Sequence, residues 1–230
     1  MATALVVAAG RGERLGVEGP KAFVPLAGRP MIGWSIEAFA NTPQVERVVV
    51  AVPVGWRPAS EAEHAALGDA IVCEGGAERS MSVRNALAAT EGPAHEAVLV
   101  HDAARPLVTV DLITRMIASV SGPDGHLAAV AAAPVTDTIR MVGTDGVATA
   151  TPDRSLLRAV QTPQAFTRET LARALSLGEA DLAAATDDAS LVERLGIEVA
   201  LIDAPPENIK VTNPNDIKLA QLLLADRERV

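Results

Sequence analysis

The chain has 230 residues, with 29 acidic side chains against 20 Lys or Arg, a formal charge of −9, 49% hydrophobic residues and a mean hydropathy of +0.22. With only 21% charged residues it is neither disordered nor fibrous, and its length fits one large domain better than two. Two Trp, three Phe and no Tyr leave little for stacking on single-stranded bases, and the net negative charge repels polyanions, so no nucleic-acid partner is expected.

In chain order, the first predicted strand is Ala4–Ala8; the N-terminus has no basic segment before it and reads as a buried strand, not a signal peptide. A helix is predicted at Met31–Ala40, strands at Arg47–Val52 and Ala70–Cys73, a helix at Ser80–Thr90 and a strand at Ala97–His101. A helix at Thr109–Val120 and a strand at Leu127–Ala133 follow. Residues 136–159 interrupt the rhythm with Gly143, Asp145, Gly146 and Pro152 between short β-type pieces, Thr138–Val142 and Val147–Ala150, and are expected to form a hairpin arm. Helices at Arg168–Leu175 and Ala189–Leu195, a strand at Ile197–Ile202 and a last helix at Pro214–Asp226, capped by Asn213, complete the chain.

The strands are almost continuously apolar, the pattern of strands covered on both faces. The expected fold is α/β, a doubly wound, Rossmann-like, mostly parallel sheet in a single domain spanning 1–230. The longest apolar run, Leu127–Val135, is nine residues against about 20 for a membrane span, so no membrane partner is expected. The single cysteine, Cys73, excludes a disulfide scaffold and a Cys-rich metal site and suits a reducing cytoplasm.

In an open α/β sheet, ligands bind beyond the carboxyl ends of the strands. The first strand runs into Ala8-Ala9-Gly10-Arg11-Gly12-Glu13-Arg14-Leu15-Gly16, with Pro20-Lys21 beyond. Glycines there let backbone N–H groups turn around phosphate oxygens, but neither a Walker A loop nor a clean dinucleotide fingerprint is present. On residue chemistry alone, a glycine-rich turn with solvated charges remains an equal reading. The strand ending in His101-Asp102-Ala103-Ala104-Arg105 places a carboxylate where Mg²⁺ binds, or where it caps a turn. Arg105 is a candidate partner for Asp102, or helps to shape the phosphate loop. His101 reads as a structural, hydrogen-bonded histidine.

Together AAGRGERLG, PKAF, GGAERSMSV, HDAARP, PVTDTI, TPQAF, TDDAS and NIKVT, in that order, resemble the 2-C-methyl-D-erythritol 4-phosphate cytidylyltransferases over nearly the whole chain. The resemblance implies transfer of CMP from CTP to methylerythritol phosphate, with Mg²⁺ as cofactor. Arg14 and Lys21 match the pair that stabilises the transition state. Arg154 and Lys210 match residues that hold the methylerythritol phosphate, with Asp137, Thr138, Arg105 and Thr186 also on the substrate side. Asp102 matches the acid near the metal, and Ala8, Ala9, Gly10, Gly12, Gly76, Ser82 and Ala103 match the CTP pocket. The family is homodimeric through the arm, so Arg154 is a candidate for the neighbouring subunit's site. This chain departs from the family in having Val7 where Pro is frequent, Ala77 where an acid is frequent, and Arg140 where Lys is frequent. Two other readings are ribitol-5-phosphate cytidylyltransferase and a non-catalytic nucleotide-binding module.

Overall fold

Alternation inside the apolar runs sends successive side chains to opposite faces of one sheet. The computed structural model describes residues 1–10, 12, 15 and 19–227. Strand β1 (Ala2–Val7) is followed by a two-residue antiparallel pair, β2 (Pro25–Leu26) and β3 (Arg29–Pro30), then helix α1 (Met31–Ala40) and β4 (Val45–Val52). Next come α2 (Glu61–Leu67), β5 (Ile71–Glu74), α3 (Arg79–Ala88), β6 (Ala97–Asp102), α4 (Val110–Ser119) and β7 (Ala128–Pro134). A hairpin, β8 (Met141–Val142) and β9 (Ala148–Ala150), precedes β10 (Arg158–Thr167), α5 (Arg168–Leu175), α6 (Glu179–Ala184), α7 (Asp188–Glu193), β11 (Ala200–Asp203) and α8 (Pro214–Arg227).

The main sheet has seven strands in the order β11-β7-β10-β6-β1-β4-β5, and only β10 runs antiparallel to its neighbours. From β1, Ala4 and Val6 pack with Phe39, Leu112 and Met116 in the layer of α1 and α4. Leu5, between them, packs with Val83, Leu171 and Leu191 in the opposite layer of α3, α5 and α7. The mostly parallel, doubly wound sheet expected from the sequence is therefore present.

Several boundaries differ from expectation. β1 begins at Ala2, because Ala2 pairs with Val45 and Ala97; β6 extends to Asp102, which pairs with Val7. The arm stops short of residue 159, because Arg158 and Ala159 already pair with Pro134 and Ala133 as the start of β10. Helices α2 and α6 have no counterpart among the predicted elements. The signal for α2 is Ser60-Glu61-Ala62-Glu63: Ser60 Oγ accepts from Glu63 N at 3.2 Å and Ala59 N donates to Glu63 Oε2 at 2.8 Å, a reciprocal cap. The cap on α8 is as expected. Asn213 Oδ1 accepts from Asn215 N and Asp216 N, while Asp216 Oδ2 accepts from Asn213 N.

A third apolar cluster, Leu15, Leu26, Met31, Leu107, Val211 and Leu224, lies under α8. It fixes the segments carrying Lys21 and Lys210 beside the carboxyl ends of the central strands.

Candidate functional site

The carboxyl ends of β1, β4 and β6 open into a cleft of about 1070 Å³. Backbone hydrogen bonds set its floor. Ala8 N donates to Ala51 O at 2.8 Å and Ala103 N to Val7 O at 3.1 Å, so each loop is tied to the neighbouring strand where it leaves the sheet. Of the residues singled out from sequence, Ala8, Ala9, Gly10, Gly12, Lys21, Gly76, Ser82, Asp102, Ala103 and Lys210 line this one cleft.

Gly12 and Lys21 are held close together. Gly12 has φ +72°, and a Cβ there would lie 2.6 Å from Lys21 Cβ, so both backbone and space demand glycine. Lys21 N donates to Gly10 O at 3.4 Å, and Phe23, two residues on, stacks on Trp56 with ring centroids 4.1 Å apart. Lys210 is placed by its neighbour: Val211 is buried and its N–H donates to Ala104 O at 2.8 Å.

The centre of charge is Asp102. Arg79 Nε donates to its Oδ1 at 3.0 Å and Lys210 Nζ to its Oδ2 at 2.6 Å. Burial pushes the Asp102 carboxyl up, but the charges of Arg79 and Lys210 and their hydrogen bonds outweigh it and hold the group well below the usual carboxylate range. Arg79 also donates from Nη1 to Asp188 Oδ2 at 2.6 Å. Burial raises the Asp188 carboxyl above its ordinary range, and the adjacent Arg79 guanidinium only partly offsets it. Arg79 itself is raised: burial lowers it, but its two acidic neighbours prevail. Arg79 stands within GGAERSMSV, where the resemblance assigns roles only to Gly76 and Ser82. Its partners lie 23 and 109 residues away, which no local pattern reveals.

Arg105 does not pair with Asp102 as considered from sequence. Its guanidinium turns inward and donates from Nη1 to Asn208 O at 2.7 Å, and the residue is only 9% exposed. Asp137, Thr138, Arg154 and Thr186 are exposed and outside the cleft lining. Arg154 Nη1 donates to Thr136 O at 3.0 Å, bridging the base of the arm. Arg14 lies outside the described residues.

His101 is fully buried with both ring nitrogens engaged. Nε2 lies 3.1 Å from Arg105 O and Nδ1 3.1 Å from Thr162 Oγ1, which also accepts from Asp102 N at 3.0 Å. A carbonyl only accepts, so Nε2 carries the proton and Nδ1 accepts from the threonine hydroxyl. Burial keeps this ring neutral, with its pKa lowered to about 4. It is a brace for the Asp102 loop, as its sequence context suggested.

Among the described residues, no group of three His, Cys, Asp or Glu side chains is placed to hold a metal, and no helix is long and apolar enough to cross a membrane. Cys73 is a free, half-buried thiol on β5.

The family model for 2-C-methyl-D-erythritol 4-phosphate cytidylyltransferase (IspD) matches residues 2–226. The 2-C-methyl-D-erythritol 4-phosphate cytidylyltransferase of Nocardia farcinica is 46% identical over 97% of this chain and 94% of its own length, and that of Symbiobacterium thermophilum 43% identical over 98% and 93%. The crystal structure of the Thermus thermophilus enzyme of that name has a TM-score of 0.78 at 34% identity, covering 98% of this chain and 100% of the other.

Proposed function

Since the chain belongs to the 2-C-methyl-D-erythritol 4-phosphate cytidylyltransferase family, we propose that its cleft transfers CMP from CTP to 2-C-methyl-D-erythritol 4-phosphate, releasing pyrophosphate. The observation that carries this reading is that a nearly full-length family match coincides with a cleft holding Lys21, Lys210, Ala8, Ala9, Gly10 and Gly12 together.

An oxygen of the methylerythritol phosphate attacks the α-phosphorus of CTP; a new P–O bond forms as the bond to the β-phosphate bridging oxygen breaks and pyrophosphate departs. The nucleophile is already anionic, so no general base is needed, which agrees with a buried, neutral His101. The main barrier is to bring two polyanions together in line. Lys21 and Lys210 supply positive charge within the cleft, and the N–H groups of Ala9, Gly10 and Gly12 are the candidate donors to phosphate oxygens. Arg14 is the expected second cation at the α-phosphate. The Arg154 guanidinium, at the base of the arm, is assigned to the methylerythritol phosphate.

The residues present fit a divalent ion that arrives with the nucleotide. Mg²⁺ commonly takes one or two carboxylates plus substrate phosphates and water, and Asp102 is an ionised carboxylate on the cleft wall. Asp102, whose oxygens also accept from Arg79 and Lys210, would share the ion with the triphosphate, and the ion would neutralise triphosphate charge and polarise the α-phosphate.

The arm supports a homodimer. Met141, Val142, Val147 and Leu156 on it are 57–83% exposed, and a second copy of the chain would cover them. One catalytic domain spans the chain in this reading.

Pyrophosphate release by the purified protein with Mg²⁺ and CTP tests the proposal, with methylerythritol phosphate and ribitol 5-phosphate offered separately. Release with methylerythritol phosphate alone is expected. Preference for ribitol 5-phosphate would keep the chemistry and overturn the substrate. No release with either, from folded protein that binds CTP, would favour a binding module.

A further inference from the structure

A guanidinium facing one carboxylate favours a two-pronged, bidentate grip. Arg79 does otherwise. It gives Nε to Asp102 Oδ1 and, from the other side of the guanidinium, Nη1 to Asp188 Oδ2, so an acid in the core sets the tilt at which it meets the acid on the cleft wall. Asp102 Oδ2 accepts from Lys210 Nζ instead, at 2.6 Å.

The division has a physical cause. Asp188, the first residue of α7, is 0% exposed, and its Oδ1 has no hydrogen-bond partner. A buried carboxylate without a counter-charge is strongly destabilising, and Arg79 is the cation that meets it. The anchor is stiff. Ala189, Leu191 and Val192 sink into the apolar layer beside α3 and α5. Gln164 of β10 ties the start of the helix, donating to Asp187 Oδ2 at 2.8 Å and accepting from Ala189 N at 3.2 Å. Asp188 therefore holds Arg79 from a fixed point, and the guanidinium is not free to turn its Nε–Nη2 edge squarely onto both oxygens of Asp102.

We propose that Asp188 is a positioning residue for Lys210. By fixing the tilt of Arg79 from the core, it keeps that guanidinium on one oxygen of Asp102 and the Lys210 ammonium on the other, and so sets where Lys210 stands in the cleft before substrates bind. The inference deepens the transferase reading and rests on it for the role of Lys210. The set of two acids and two bases is neutral, so removing the Asp188 charge leaves Arg79 with one anion to grip, and Lys210 is the group displaced.

Asp188→Asn removes the charge at nearly constant shape, and Asp188→Ser is a smaller neutral variant should the first fold poorly. Lys210 acylation by a small activated ester, followed by mass spectrometry on folded protein without substrates, reads the cation's release from Asp102. Its rate is expected to rise about 3-fold or more, within the range of about 2–30-fold typical of coupling between linked sites. In the same variants kcat/KM for methylerythritol phosphate should fall about 10-fold while the CTP Kd changes less than about 3-fold. The double variant Arg79→Met with Asp188→Asn removes both the anchor and the competitor, and Lys210 should return to its wild-type acylation rate. Unchanged Lys210 reactivity in the single variants, a double variant as reactive as Asp188→Asn, or equal losses for CTP and methylerythritol phosphate would each overturn the proposal. Absence of turnover in the wild-type protein would instead strike the transferase reading, and the acylation comparison would still decide whether Asp188 places Lys210.

Discussion

Gly75 sits where two loops of the cleft touch, and replacing it with alanine offers a sharp test of how the pocket is built. A methyl group there would lie 2.7 Å from Ala9 Cβ, 2.8 Å from Ser82 Oγ and 3.2 Å from Val52 O. Comfortable carbon contacts need about 3.5–4.0 Å, so the loop after β1 and the start of α3 must separate by roughly 1 Å. Neither side yields easily. Ser82 Oγ accepts from Gly76 N at 3.0 Å and lies 3.1 Å from Glu78 O, to which it donates. Gly75 N is itself bonded to Val52 O at 2.7 Å. Overpacking of this kind costs about 1–3 kcal/mol, which in a chain of this size lowers Tm by roughly 3–10 °C. The displaced atoms include Ala9 and Ser82 of the cleft lining, so CTP affinity should fall about 10-fold, equivalent to about 1.4 kcal/mol. Calorimetric titration with CTP and thermal unfolding measure the two effects. A Gly75→Ala protein with wild-type Kd and Tm would refute the reasoning, because it would mean that the loops are not in contact there.

Other outcomes follow from the same geometry. Lys21→Ala should lose about 10²–10³-fold in kcat, by analogy with a lost donor to developing charge; near-normal pyrophosphate release from folded protein would remove Lys21 from the chemistry. Arg154→Ala should raise KM for methylerythritol phosphate more than for CTP, and equal changes would show that the guanidinium is misassigned. Glu96 is 4% exposed and accepts from Thr3, Arg47 and Arg168, at 2.7–2.9 Å. Glu96→Gln leaves the Arg168 charge without its counter-ion and should cost about 3–5 kcal/mol in denaturant unfolding; a loss below about 1 kcal/mol would mean that the ion pair is dispensable. His101 has a folded pKa of about 4, below the unfolded value of about 6.5, so its contribution is complete above about pH 6.5 and is lost as pH falls toward 4. Between those limits stability should decline by about 1.4 kcal/mol per pH unit, and His101→Gln should flatten the decline; an equal slope in both proteins would show that another group titrates.

Sequence alone carried the parts of this protein that are written locally. Apolar runs of Val, Ala, Leu and Ile announced strands covered on both faces, and the cap at Asn213 announced α8, because a cap and an apolar run each act within a few residues. The order of the short motifs announced the family, and ten of the residues drawn from them line one cleft. The antiparallel strand β10 was hidden, since Gln161, Thr162, Pro163 and Gln164 interrupt its apolar pattern; pairing with β6 and β7 makes it a strand. The arrangement of charge was hidden for a related reason. Arg105 stands three residues from Asp102 yet turns to Asn208 O, while Arg79 and Lys210, 23 and 108 residues distant, take the carboxylate. Chemistry belongs to residue types and can be read along the chain. Which cation meets which anion depends on burial and on the crossing of loops at the sheet's carboxyl edge, where only the folded protein brings Asp188, Arg79, Asp102 and Lys210 into line.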